Sequence, residues 1–385
     1  MRRRRILIVC MFDSIHAGRW LSQFTDQEID FLIFPSKKFK RIHPQLLKLI
    51  NDKSLATFSV AHPLRILNIL GYLDFAIFVQ FPKLIKINLR VRYLRKLLHN
   101  ENFDYVHALE IQGAGYLCDE AIDEKNFKFI LTNWGSDIFY FQHLPEHLPK
   151  IKSALEKADL YSAECNRDYK LALDLGFNGV QLPCIPNGGG LIDSGALKVG
   201  ILTSERKNIV VKAYGGTFGR GALVIEAVSN ALHKNRNLTA YFYSVTNDLI
   251  GRVEELARQF GSRIEFSTNK NPILHDELAR IFEISRIYIG CSVSDGISTS
   301  FLEALSKGVY PIQTNTSCAE EWINKGAIGS IVHLDEAKIQ KALELAIKDD
   351  DLVNQAAQVN LKILGLHANR VLVKDLALQF YKTHD

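Results

Sequence analysis

The residues best placed to do chemistry lie in one stretch, Cys291-Ser-Val-Ser-Asp295-Gly296-Ile297-Ser298-Thr299-Ser300-Phe-Leu-Glu303-Ala304. An apolar strand pattern, 286–291, runs into a polar turn and then into a helical pattern. Ser298, Thr299 and Ser300 are all good N-caps for that helix. A helix start offers unpaired N–H groups and a partial positive charge, which suits a diphosphate. Asp295 stands before the turn, where a carboxylate can accept from sugar hydroxyls. Glu303 is expected in the first helical turn, within reach of ribose hydroxyls. A structural explanation stays open for each acid alone. Asp before Gly often only shapes a turn, and an acid in a first helical turn favours the dipole.

A second stretch, Lys212-Ala-Tyr-Gly-Gly216-Thr-Phe-Gly-Arg220-Gly221, follows another strand pattern. Glycines between strand and helix let backbone amides approach a phosphate, and Arg220 and Lys212 supply cations.

The elements that must carry these loops alternate between strand and helix. The opening is β-α-β: a strand over 6–12, a loop over 13–19, a helix opening at 20–24 and a strand over 30–34. Further strand patterns cover 105–109, 128–132, 160–164 and 180–185, and residues 37–98 read as helical and basic. After a weak, linker-like stretch over 194–206, strands recur at 208–213, 239–244, 264–266, 286–291, 309–313 and 330–333. With 385 residues the chain needs more than one core. The expectation is two Rossmann-like domains, 1–195 and 205–368, with a helix near 370–385 packing back on the first. They would face each other across a deep cleft, with ligands at the carboxyl ends of the strands.

Four arginines precede the apolar run 6–12, but the run is only seven residues and Asp13 ends it without a small-residue cleavage site. A buried strand explains it better than a signal peptide. No run of 18 apolar residues suggests a transmembrane helix. Six scattered cysteines, none at metal-ligand spacing, suggest reduced thiols in a cytoplasmic protein. Residues 1–100 hold 18 Lys and Arg against 6 Asp and Glu, whereas the rest holds 29 against 36. The basic segments 37–53 and 83–98 fit either solvated helix faces or docking on an anionic membrane surface. Nucleic acid is not expected, because no stacking aromatics interleave with the charge.

The 286–329 region resembles the donor-site signature of the family-4 glycosyltransferases: an acid, seven residues, Glu-Ala, then Gly and an apolar-Pro strand. Here these are Asp295, Glu303-Ala304, Gly308 and Pro311, with Asp295 in place of the usual Glu. Glu321-Trp-Ile-Asn-Lys-Gly326 and Gly329 resemble the segment that follows. Pro186-Asn187-Gly188, Asp104-Tyr-Val-His107 and Asn133-Trp134-Gly135-Ser136-Asp137 resemble motifs of the family's first domain, with Trp134 where a His is usual. Arg220-Gly221 takes the place of a Lys-Gly pair, with Lys212 as the displaced partner cation.

The resemblance implies a GT-B fold. It implies a retaining, metal-independent sugar transfer with no cofactor beyond a nucleotide-diphosphate sugar as co-substrate. Asp295 would position the donor sugar, Arg220 and Lys212 would stabilise the leaving diphosphate, and Glu303 would hold the ribose. Gly216, Gly296, Ile297, Ser298, Thr299 and Glu321 would line the donor site. Gly18, Arg19, His107, Trp134 and Asp137 would face the acceptor, a glycan or lipid-linked saccharide, with Trp134 able to stack on a sugar ring. The biological role so implied is assembly of a surface polysaccharide, O-antigen or capsule, at the inner face of the membrane. Two rival readings share the fold: a sugar-nucleotide epimerase, and a binding module without chemistry.

Overall fold

The computed structural model describes residues 2–52, 56–61, 89–186, 188–191 and 201–382. The linker-like residues 194–200, the basic residues 83–88 and Asn187 lie outside them. The chain forms two compact units, one of residues 1–189 and 373–385, the other of residues 190–372.

Among the described residues the first unit forms a seven-stranded parallel sheet. Its strands are β1 (Arg4–Cys10), β2 (Ile29–Pro35), β3 (Thr57–Val60), β4 (Tyr105–Leu109), β5 (Lys128–Thr132), β6 (Leu160–Ser162) and β7 (Val180–Gln181), in the order β3-β2-β1-β4-β5-β6-β7. β1 is central because it can be: Ile6 to Val9 are wholly buried, so both faces of the strand are covered. Each such aliphatic side chain contributes about 1.5–3 kcal/mol on burial. The apolar run behind the arginines is therefore a core strand. Arg2, Arg3 and Arg5 pair with Asp104, Asp30 and Glu101 at its amino end.

The second unit is a six-stranded parallel sheet of β8 (Asn208–Lys212), β9 (Thr239–Val245), β10 (Ile264–Thr268), β11 (Ser285–Gly290), β12 (Tyr310–Thr314) and β13 (Ser330–Val332). Their order is β10-β9-β8-β11-β12-β13. In each sheet the order reverses once, at β1/β4 and at β8/β11. Loops leaving adjacent strands in opposite directions open a crevice there, the usual ligand position in such sheets.

Two expectations are corrected. The 37–98 stretch is not continuously helical. It holds helix Pro44–Asn51, strand β3 and helix Leu89–Asn100, with 62–88 outside the described residues. β3 is Thr-Phe-Ser-Val, whose only fully buried side chain is Phe58, and its period of two is too short to stand out among basic residues. The first loop is also shorter than expected. Ser14 accepts from the His16 amide and starts helix Ile15–Ser22, five residues before the expected opening.

Candidate functional site

In the second unit, β8 ends at Lys212 and releases the glycine-rich loop. Gly216 adopts φ +68°, a left-handed conformation that glycine takes without cost. Gly219 approaches the chain so closely that a Cβ there would lie 2.0 Å from the carbonyl oxygen of Tyr214. That closeness lets the loop bond to the segment leaving β11. The Val293 amide donates to the Phe218 carbonyl at 2.8 Å, the Arg220 amide donates to Cys291 at 3.1 Å, and Gly219 bridges Ser292. The two switch-point loops thus become one surface, with Arg220 and Asp295 both within electrostatic reach of Tyr214. The Tyr214 hydroxyl is pushed up to about 12, by burial first and then by the Asp295 carboxylate, with Arg220 pulling the other way.

The Arg220 guanidinium donates to the carbonyls of Gly219 at 2.6 Å and, at 3.4 Å, of Gly216 and Thr217. Lys212 lies with its ammonium 4.9 Å from the Tyr214 ring centroid. Lys212 thus borders Tyr214, and Arg220 lies within electrostatic reach of it. The Asp248 carboxyl is held below the usual range, chiefly by the Thr246 hydroxyl and to a smaller extent by the Gly216 amide.

After β11 the chain passes Asp295, Gly296 and Ile297, the last two buried and Asp295 partly exposed. The Asp295 amide donates to Thr316 at 3.4 Å, and the Cys318 amide to Gly296 at 2.9 Å. Ser298 is the N-cap of helix Thr299–Ser306, its hydroxyl accepting from the Phe301 amide at 3.4 Å. Thr299 is thus the first helical residue, and Glu303 falls in the second turn rather than the first. The acid is set one turn back because the earliest of the three candidate caps is the one used. Glu303 keeps 17% of its side chain exposed, and its Oε1 lies 3.0 Å from Nε2 of His275. Glu321 is partly exposed in the short helix Ala319–Asn324.

The first unit treats its expected residues differently. His107, on β4, is fully buried. Its Nδ1 lies 2.9 Å from the Tyr381 hydroxyl and its Nε2 2.6 Å from that of Thr132, and burial pushes its pKa down to about 3. Trp20 meets the ring edge-on and donates its own N–H to Tyr381 at 3.1 Å. An imidazole with both nitrogens occupied in a dry aromatic cluster does not face an acceptor. Gly18 is buried inside helix Ile15–Ser22, where a Cβ would lie 3.1 Å from the Leu46 amide nitrogen, so it serves close helix packing. Asp137 is buried and accepts from the amides of Ile111 at 2.8 Å and Trp134 at 3.0 Å, which makes it the clamp of its own loop. Burial and the nearby Glu110 raise its pKa well above the ordinary value. Trp134 is 9% exposed, with His16 5.6 Å from its ring, and offers no open face for stacking. Only Arg19 of this set is partly exposed.

Glu110, at the end of β4, was not singled out by the sequence. It holds φ +96° and accepts from the amides of Gly113 and Ala114, capping the turn Ile111–Gly115. The signal for it was the glycine-rich Ile-Gln-Gly-Ala-Gly that follows. Tyr214, Asp248 and His275 were likewise unmarked, for none sits in a recognisable spacing.

Residues 5–165 match the family model described as "Glycosyl transferase 4-like". No curated protein sequence matches the chain. Among solved structures, Anabaena Alr3699/HepE in complex with UDP and glucose is 12% identical, with 98% of this chain and 99% of that one covered and a TM-score of 0.67. A glycosyltransferase from Rickettsia africae is 16% identical over 99% and 98%, with a TM-score of 0.68. Sucrose-phosphate synthase from Thermosynechococcus elongatus is 14% identical over 98% of each chain, with a TM-score of 0.65. The fold is that of the GT-B glycosyltransferases, two Rossmann-like domains. The first of these domains carries the glycosyl transferase 4-like match. Among the described residues no helix is long and apolar enough to cross a membrane.

Proposed function

We propose that the chain is a glycosyltransferase that takes a sugar from a nucleotide-diphosphate sugar held by its second domain. The observation that carries this is the union of the two switch-point loops, which sets Arg220 and Asp295 around Tyr214 at the start of helix Thr299–Ser306. A diphosphate placed there would meet the positive end of that helix and the Arg220 guanidinium. Arg220 would exchange its bonds to loop carbonyls for stronger ones to phosphate. Charge builds on the leaving diphosphate as the sugar bond breaks, so donors already in place act where they are worth most. Lys212, carried on the same strand end, adds the second cation. Asp295 would accept from donor-sugar hydroxyls and Glu303 from the ribose, with Glu321 nearby in sequence on the following helix. HepE was solved with UDP-glucose, which supports a uridine diphosphate sugar as the first probe.

The finer reading is a retaining, metal-independent transfer to a lipid-linked saccharide in surface polysaccharide assembly, on the inner face of a membrane. Lys40, Arg41, Lys48, Arg92 and Lys96 are exposed on the first domain and would attract an anionic leaflet. Arg19 is the one acceptor-side residue with an accessible head.

The test supplies UDP-glucose, with a chelator, alone and with lipid-linked saccharides extracted from bacterial membranes. Acceptor-dependent release of UDP, with the anomeric configuration kept in the product, supports the reading. Epimerised donor formed without acceptor would replace it with an epimerase, and binding without turnover would replace it with a binding module. Failure to sediment with anionic liposomes at low salt would remove the membrane part.

A further inference from the structure

Glu303 is in contact with His275. His275 is the first residue of helix His275–Glu283, which follows β10, and its side chain is 54% exposed. Its Nε2 lies 3.0 Å from Glu303 Oε1, and its Nδ1 lies 3.9 Å from an Asp276 oxygen. Tyr243, fully buried on β9, lies within electrostatic reach of Glu303. One oxygen of the Glu303 carboxylate is therefore engaged, on a group only 17% exposed.

We propose that His275 is a positioning residue that holds the Glu303 carboxylate in one orientation for the vicinal hydroxyls of a nucleotide's ribose, making the site selective for ribonucleotides. The inference rests on the donor-site reading above. A glutamate has three rotatable bonds, and ordering one costs rotamer freedom. A carboxylate already tied through Oε1 has met that cost before ligand arrives, and Oε2 remains to accept. The imidazole can donate from Nε2 either neutral or protonated. Its Nε2 contact is with Glu303, so its loss should act first on the ribose end of the site.

The experiment measures dissociation constants by calorimetry for UDP, ADP and GDP, and for the 2′,3′-dideoxy analogue of whichever binds tightest. It does so in the unaltered protein, in H275Q and in H275N. The glutamine amide reaches where Nε2 was, whereas the asparagine amide stops near Nδ1. The expected result is a preference for the ribonucleotide of about tenfold in the unaltered protein and in H275Q. In H275N it falls to within about threefold, with the dideoxy affinity and the unfolding midpoint unchanged. An intact preference in H275N would show that the contact only ties two helices together, and would overturn the inference while leaving the donor site standing. Binding of the nucleotide with no preference in the unaltered protein would overturn it too. If none of the three nucleotides binds, the donor-site reading itself fails, and the inference falls with it.

Discussion

The two switch points of this molecule are built on the same plan and finished differently. At β1/β4 the polar groups are turned inward: His107, Glu110 and Asp137 are buried, and each is bonded by a hydroxyl or by amides of its own domain. At β8/β11 the comparable groups are partly exposed. Arg220 spends its donors on loop carbonyls, Asp295 lies beside a turn, and Glu303 keeps part of its carboxylate open. A buried, satisfied group serves stability, since exchanging its partners would expose it unpaired at about 1–3 kcal/mol or more. A partly exposed group can exchange its bonds for those to a ligand at lower cost, since water can stand in during the exchange. The same fold therefore uses one strand-end crevice to hold itself together and leaves the other available for chemistry.

That contrast is broken most decisively by charge removal at β8/β11. Arg220→Ala is expected to lower kcat about 10²–10³-fold, the cost typical of removing one pre-placed donor to a developing negative charge. Its unfolding midpoint should move little, because two of the three lost bonds are long and exposed and only that to Gly219 is part-buried. Unchanged turnover would put the chemistry elsewhere.

Acid should act on the opposite crevice. The pKa of His107 falls to about 3 in the fold, against about 6.5 unfolded. The unfolded chain thus takes up the proton first. The contribution of His107 is complete above about pH 6.5 and is lost progressively toward pH 3, amounting to about 3 kcal/mol between pH 7 and pH 4. Glu110 and Asp137, both raised by burial, act in the reverse sense. The comparison must therefore be with His107→Gln, which shares both acids. Denaturant midpoints across this range should fall less steeply in the variant, and parallel curves would deny the burial of the imidazole.

Glycine substitutions sharpen the comparison at smaller scale. Gly219→Ala would set a Cβ against backbone, so the loop must shift. A loss of about 1–3 kcal/mol is expected, together with weaker nucleotide binding as Arg220 moves. Gly251→Ala, in helix Ile250–Phe260 with nothing within 4 Å, should instead stabilise by up to about 1 kcal/mol. Smallest of all is Arg3→Ala, whose pair with Asp30 is exposed on both sides. It should change stability by under about 1 kcal/mol.

Much of this was legible in the chain. Central strands such as β4, β5 and β8 announce themselves as apolar runs between turn residues, and the Asp295–Glu303 stretch and the glycine-rich loop mark β8/β11 by local spacing. What stayed hidden depends on distant partners. Tyr381 closes the shell of His107 from 274 residues away, so a strand-end histidine could not be told from a buried one. His275 meets Glu303 across 28 residues and two helices, with no periodicity linking them. Gly18 reads as a loop glycine until Ser14 is seen to cap the helix around it. The turn occupied by Glu303 depended on which of three adjacent hydroxyls served as cap, a choice that propensity does not make.

The central claim is that the second domain binds a nucleotide-diphosphate sugar through Arg220 and its neighbours, without metal. Thermal unfolding in the presence of a chelator, with UDP-, ADP- and GDP-sugars in turn, tests it directly in the unaltered protein and in Arg220→Ala. A donor that binds only the folded chain adds about 2.7 kcal/mol of stability at a hundredfold excess over its dissociation constant. The expected result is a raised midpoint with one nucleotide class, lost in Arg220→Ala. No shift with any of them, or an equal shift in the variant, would contradict it.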